Sequence, residues 1–189
     1  MAFKDNTLFY TTSILEHGIS AKGVRWKSSY NQYKRFEILT SFITNNISKS
    51  TIVDAGCGFG EYFNYLEKIE KKPKIYLGID CEKVMINIAS KRFPNVNFKL
   101  KNVLLDKLYV SDYYICSGAM NILNKEEVFL FIKKCFFASK KAFIFNFLKN
   151  DPLTTISIDE IIKYCKELTN KIIIKENYLK NDITIYLEK

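Results

Sequence analysis

The segment Thr51-Ile-Val-Asp54-Ala-Gly56-Cys-Gly58-Phe-Gly60-Glu-Tyr62 concentrates more chemistry than any other stretch of the chain. An apolar run ends in a carboxylate, glycines follow at alternate positions, and a helix pattern begins. Glycines let a backbone turn sharply and approach a ligand with no Cβ in the way, and a helix start offers free N–H groups. A pyrophosphate-binding turn has the spacing GxGxxG. Here the spacing is GxGxG, and Asp54, just ahead of Gly56, would repel a pyrophosphate. A carboxylate in that place suits a ligand that carries an ammonium group.

The run Ile75-Tyr-Leu-Gly-Ile-Asp80 also ends in a carboxylate, twenty positions past Gly60. At the end of a second strand it is placed to accept hydrogen bonds from both hydroxyls of a ribose. S-adenosylmethionine (SAM), with an amino-acid end, a sulfonium and a ribose, meets both requirements.

These residues need a sheet to hold them. After about Ser50, β-rich runs alternate with helix patterns, which argues for a parallel sheet covered on both faces. The strands are expected at Thr51–Ala55, Lys74–Ile79, Val96–Leu100, Asp112–Cys116, Lys141–Phe147, Lys171–Lys175 and Ile183–Leu187. The short Asn177–Asp182 connection allows the last two to run antiparallel. Asn124 with Glu127, Ser157 with Glu160, and Ser29 with Gln32 read as capping boxes that open helices. Their apolar faces are Val128, Phe131, Ile132 and Cys135; Ile161, Ile162 and Cys165; and Phe36, Leu39 and Ile43. Tyr62, Phe63, Leu66 and Ile69 mark another helix, and Met85, Ile88 and Ala89 a further one.

The 189 residues fit one domain, 1–189, with a helical cap over 1–50 and a Rossmann-like core over 51–189. No apolar run is long enough to span a bilayer, so no membrane is expected. The start lacks the basic-then-apolar pattern of a secretory signal, which implies a cytoplasmic protein. Cys57, Cys81, Cys116, Cys135 and Cys165 have no CxxC spacing, so neither a zinc site nor a disulfide framework is expected, and no metal is called for. The formal charge of +9 comes mostly from scattered lysines; Arg25, Arg35 and Arg92 are the only arginines. That pattern reads as a diffuse solvated surface, suited to a small anionic substrate more than to nucleic acid. The wealth of Lys, Ile, Asn, Phe and Tyr suggests an AT-rich bacterial genome.

DAGCGFG followed by GID resembles motifs I and II of the class I SAM-dependent methyltransferases. The resemblance runs from about Ser50 onward. It implies an α/β fold with a seven-stranded, mostly parallel sheet in the order 3-2-1-4-5-7-6, the last strand antiparallel, helices on both faces and an N-terminal helical lid. It implies a cofactor set of Asp54, Gly56, Gly58, Gly60, Asp80, Cys81, Met85, Asn102, Val103 and Ser117, with S-adenosylhomocysteine (SAH) as product. Asn102 stands where this family usually has an Asp beside the adenine. The stretch from Gly23 to Glu37 resembles small bacterial members in which aromatic and basic residues reach the methionine end, which brings in Trp26 and Arg35. Tyr10, Tyr30 and Tyr33 lie in the same region.

Methyl transfer from a sulfonium needs mainly a held nucleophile and a dry site. His17, the only histidine, has the intrinsic pKa of a general base. Asn121 and Asn146 follow strands at the cofactor end and are candidates to orient an acceptor. Family members that methylate nucleobase or glutamine amides carry a D/N-P-P-Y/F-type motif after the fourth strand; here that position reads Cys116-Ser-Gly-Ala-Met-Asn121. A small-molecule acceptor with an oxygen nucleophile is therefore favoured over nitrogen. The alternatives are an RNA or protein methyltransferase using the basic surface, a SAM-binding protein without activity, and a dinucleotide oxidoreductase, which the glycine spacing disfavours.

Overall fold

The computed structural model describes residues 28–149 and 156–189. Its sheet comprises β1 (Thr51–Ala55), β2 (Ile75–Asp80), β3 (Asn97–Leu100), β4 (Ser111–Ser117), β5 (Ser139–Leu148), β6 (Ile172–Glu176) and β7 (Asp182–Glu188). The seven strands are ordered β3-β2-β1-β4-β5-β7-β6. The first five are parallel, and β7 lies antiparallel between β5 and β6. This is the order that the family resemblance implied. Each expected strand is present, with ends displaced by a residue or two.

The helices are α1 (Ser29–Ser41), α2 (Glu61–Lys68), α3 (Lys83–Arg92), α4 (Lys125–Ala138) and α5 (Ile158–Leu168). Alternate strand residues point to opposite faces, and each face has its own core. On one, Phe36, Leu39, Tyr62, Leu66 and Ala89 from α1, α2 and α3 pack with Ile52, Tyr113, Ile115 and Ile144. On the other, Val128, Ile132, Ile161 and Cys165 from α4 and α5 pack with Val53, Tyr114, Phe143, Phe145 and Ile185. Each of the Val, Leu, Ile and Phe side chains among them contributes about 1.5–3 kcal/mol on burial, so both helix layers are firmly attached.

The boxes at Asn124/Glu127 and Ser157/Glu160 form as expected. The one expected at Ser29/Gln32 does not. Ser28 caps α1 instead, its side chain accepting the Asn31 N–H at 3.2 Å. Gln32 is drawn into the interior and so does not reach back to the helix start. Ile69 falls just past the end of α2 and is exposed, and Ile86 rather than Ile88 joins Ala89 in the core. Helix α1 packs against β4, β5 and β7, so this part of the N-terminal region is built into the core. His17 and Trp26 lie outside the described residues. Among the described residues, no helix is long and apolar enough to cross a membrane.

Strand β1 pairs with β2 on one side and β4 on the other, so the chain's winding reverses there. In open α/β sheets, ligands bind outside the carboxyl ends of the strands at such a point.

Candidate cofactor site

Strand β1 delivers the glycine turn to that crevice. The N–H groups of Gly56 and Cys57 both donate to Ile79 O, at 2.8 and 3.0 Å, which ties the turn to β2. Gly56, Gly58 and Gly60 have φ of 79°, 52° and 77°. A side chain in this left-handed region costs about 1–2 kcal/mol. A Cβ on Gly56 would also collide with that of Ala119, and one on Gly60 would sit 2.9 Å from Phe98 Cζ. Gly60 is the N-cap of α2. Backbone angle and close packing together therefore restrict Gly56 and Gly60 to glycine.

Asp80 closes β2 beside it. Its Oδ2 accepts the Gly58 N–H and its Oδ1 the Glu82 N–H, both at 2.9 Å. A carboxylate has about four acceptor positions, so each oxygen keeps capacity for a ligand hydroxyl. Burial raises its pKa from 3.8 to about 6, against the pull of those backbone N–H groups. Asp54 is nearly inaccessible, and Tyr76 donates its hydroxyl to Oδ2 at 2.6 Å. Burial lifts Asp54 from 3.8 to about 7; the Tyr76 hydrogen bond lowers it, and the Asp80 charge adds to the rise. Two carboxylates with raised pKa values flanking the glycine turn would be stabilised in their ionised form by a cation.

Of the other expected cofactor residues, Cys81 is exposed directly after Asp80, and Met85 is buried on α3. Asn102 follows β3. Its Oδ1 accepts the Leu104 N–H at 2.9 Å, and its own N–H donates to Asp106 Oδ2 at 2.8 Å. The side-chain oxygen is thus committed to shaping the loop. Val103 is buried beside it.

Ser117 ends β4 and pairs across the sheet with Asn146 of β5, whose Nδ2 donates to Ser117 Oγ at 3.3 Å. The fold therefore joins two residues that sequence reasoning had named separately. Asn121 lies in the 3-10 turn Ala119–Ile122 after Gly118. Arg35 is buried on α1, and its Nε donates to Asp182 Oδ1 at the start of β7.

Several residues that the structure brings against these were not anticipated from the sequence. Tyr76 steadies Asp54, and Thr184 sits opposite Asn146 with its hydroxyl 2.7 Å from that of Tyr178. Arg92 donates to Phe59 O inside the glycine turn and to Glu61, both at 2.8 Å. Burial would raise Glu61, but hydrogen bonds from Arg92, Asn64 and Tyr33 outweigh it and hold the carboxyl below its usual range. The rarity of arginine was the available signal for Arg92. The five cysteines are all free, Cys81 alone being exposed. Among the described residues, no cluster of three or more His, Cys, Asp or Glu side chains forms a metal site.

The reversed β7 and the glycine turn after β1 define a Rossmann-like methyltransferase fold. The magnesium protoporphyrin IX methyltransferase of Synechocystis PCC 6803, crystallised with SAM, aligns with a TM-score of 0.70 at 13% identity, covering 100% of this chain and 99% of that one. A TehB-like SAM-dependent methyltransferase from Corynebacterium glutamicum aligns with a TM-score of 0.71 at 14% identity, covering 97% and 98%. In sequence, the putative methyltransferase 235L of Invertebrate iridescent virus 6 is 31% identical over 125 residues, 62% of this chain and 46% of that protein. The chain thus spans less than half the length of this curated relative. No protein-family model matches the chain.

Proposed function

We propose that the chain is a SAM-dependent methyltransferase that releases SAH. The observation that carries this reading is Asp80, held by the N–H groups of Gly58 and Glu82 beside a turn in which glycine alternates with the buried Cys57 and Phe59. That arrangement suits a ribose diol. The raised pKa of Asp54 suits an ammonium group, which would favour its ionised form. When bound, SAM would supply a methyl carbon already activated by its sulfonium.

The chain's own task is to bind, orient and exclude water. Asp80 accepts the ribose hydroxyls and Asp54 draws the amino end. Asn102 and Val103 meet the adenine, with Cys81 and Met85 alongside. Arg35, steadied by Asp182, and Trp26 serve the carboxylate end. Ser117, Asn121 and Asn146 orient the acceptor, and His17 takes its proton where the nucleophile carries one. The acceptor is a small, anionic molecule with an oxygen nucleophile. Support for this comes from the Ser117-Gly-Ala sequence at the end of β4 in place of an amide-methylating motif, and from the +9 charge. Free thiols throughout the described core suit a reducing, cytoplasmic setting.

Titration calorimetry tests the reading. SAH should bind and NADH should not. A folded protein that ignores both SAM and SAH would refute it. Transfer itself is checked by mass spectrometry of SAH formed in the presence of small hydroxy acids.

A further inference from the structure

A turn built on glycines is costly to order, because glycine loses more backbone freedom than any other residue. The Gly56–Gly60 turn is held on its inner side by Ile79 O and Asp80. Its outer side is held by a different set of groups. Arg92, the last residue of α3, spans two acceptors with its guanidinium: Nη1 donates to Phe59 O at 2.8 Å and Nη2 to Glu61 Oε2 at 2.8 Å. Phe59 lies between two left-handed glycines, Gly58 and Gly60, so its carbonyl is part of the turn itself. Glu61, the first residue of α2, uses its other oxygen to accept Asn64 Nδ2 at 2.7 Å and the Tyr33 hydroxyl at 2.9 Å. Tyr33 belongs to α1, and Lys68 Nζ donates to its oxygen at 2.7 Å. One continuous network therefore runs from α1 through the start of α2 and the glycine turn to the end of α3.

A partly exposed ion pair such as Arg92–Glu61, with each side chain about a quarter exposed, adds little to stability by itself. A guanidinium that fixes two acceptors at once is nonetheless geometrically demanding, because its planar fork admits few arrangements. We propose that Arg92, Glu61 and Tyr33 are positioning residues for the cofactor, clamping the glycine turn in its binding shape before the ligand arrives. The inference rests on the cofactor reading above. Ordering the turn in advance lowers the entropy lost on binding. The clamp touches none of the reacting groups, so it governs cofactor affinity and leaves the transfer step alone.

The test uses the full chain and SAH. Arg92→Met should weaken SAH binding roughly ten-fold, the scale on which preorganisation operates. Arg92→Lys should recover only part of this, since an ammonium does not reproduce the fork. Tyr33→Phe, which keeps the ring and removes the hydroxyl that links Glu61, Lys68 and Asn64, should weaken binding by about two- to three-fold, because Arg92 still holds the turn directly. In each variant KM for SAM should rise with kcat unchanged. Hydrogen exchange of the Gly58 and Gly60 amides in ligand-free protein should quicken in step with the affinity loss. Wild-type affinity in folded Arg92→Met, with unchanged exchange at those amides, overturns the clamp. If Arg92→Met does not fold, the graded pair Arg92→Lys and Tyr33→Phe decides by the same readouts. Failure of the wild type to bind SAH would instead strike the cofactor reading, and the exchange measurement in ligand-free protein would still judge the clamp.

Discussion

Asp54→Asn should make the protein more stable and less able to bind its cofactor, with a pH dependence that identifies the cause. Burial, assisted by the Asp80 charge, lifts the folded-state pKa of Asp54 from 3.8 to about 7. Between those values the native protein holds a proton that the unfolded chain has released. The stability associated with the neutral carboxyl is thus fully present below pH 3.8 and lost as pH rises through about 7. At about 1.36 kcal/mol per pH unit, the raised pKa costs roughly 4 kcal/mol at pH 8, where the group is ionised, and roughly 1.5–2 at pH 5, where the native state must hold the proton. Asparagine removes that charge and can still accept the Tyr76 hydroxyl, but it introduces a buried amide donor that costs about 1–3 kcal/mol if unmatched. The net expectation is a gain of about 1–3 kcal/mol at pH 8 that shrinks or reverses at pH 5. Urea unfolding of both proteins at the two pH values measures it, and calorimetry with SAH at pH 8 should show affinity down at least ten-fold, the scale of a lost charged partner. A difference in stability that does not change between pH 5 and 8 would refute the argument, because the charge of Asp54 would then not be the strained element.

Asp80→Ala should weaken SAH binding by about 1.5–3 kcal/mol, the scale of hydrogen bonds to a charged group; wild-type affinity should also fall as pH is lowered through about 6, where Asp80 takes up its proton. Unchanged calorimetric affinity in a folded Asp80→Ala protein would contradict the ribose assignment. Gly58→Val places a branched side chain at a φ of 52° and should abolish SAH binding, while circular dichroism still reports the α/β fold. Retained micromolar binding would move the site elsewhere. Arg35→Met strands the buried Asp182 carboxylate and should cost about 3–5 kcal/mol in urea unfolding, most of it restored by adding Asp182→Leu. A loss below about 1 kcal/mol would mean that the pair behaves like a surface contact.

Much of this architecture can be read from local pattern. The β1 run from Thr51 to Ala55 matches its structure residue for residue, because an apolar strand flanked by a serine and a glycine turn has little choice of ends. Capping boxes at Asn124 and Ser157 are legible for the same reason: each is a local bargain between residues three apart. Ser29 failed as a cap because its neighbour Ser28 offers the same hydroxyl, and the fate of Gln32 is decided by tertiary burial. Asp54, the glycines and Asp80 stand out because they sit at the ends of adjacent strands and on the turn between strand and helix, a pattern local in sequence. Arg92 and Glu61 do not, since their partnership depends on the end of α3 returning to the turn that starts α2, a distance of 31 positions. Arg35 illustrates the same gap: its role depends on Asp182, far along the chain and on a strand that runs the other way.

The placement of β7 also shapes how the protein is made. Strand β5 meets β7, not β6, so its outer hydrogen-bonding edge finds no native partner until residues 182–188 have been synthesised. Until then β6 has no native neighbour in the sheet, and Ile173 and Ile174 belong to an unpaired strand. An unpaired, apolar strand edge is a template for association with other chains. A nascent chain on the ribosome therefore carries an incomplete sheet until residues 182–188 have emerged. The last strand enters between two waiting edges, and its arrival completes the α/β sandwich in one step. Removing β7 would therefore leave two sticky edges in place of a shorter sheet, with aggregation rather than simple loss of activity as the outcome.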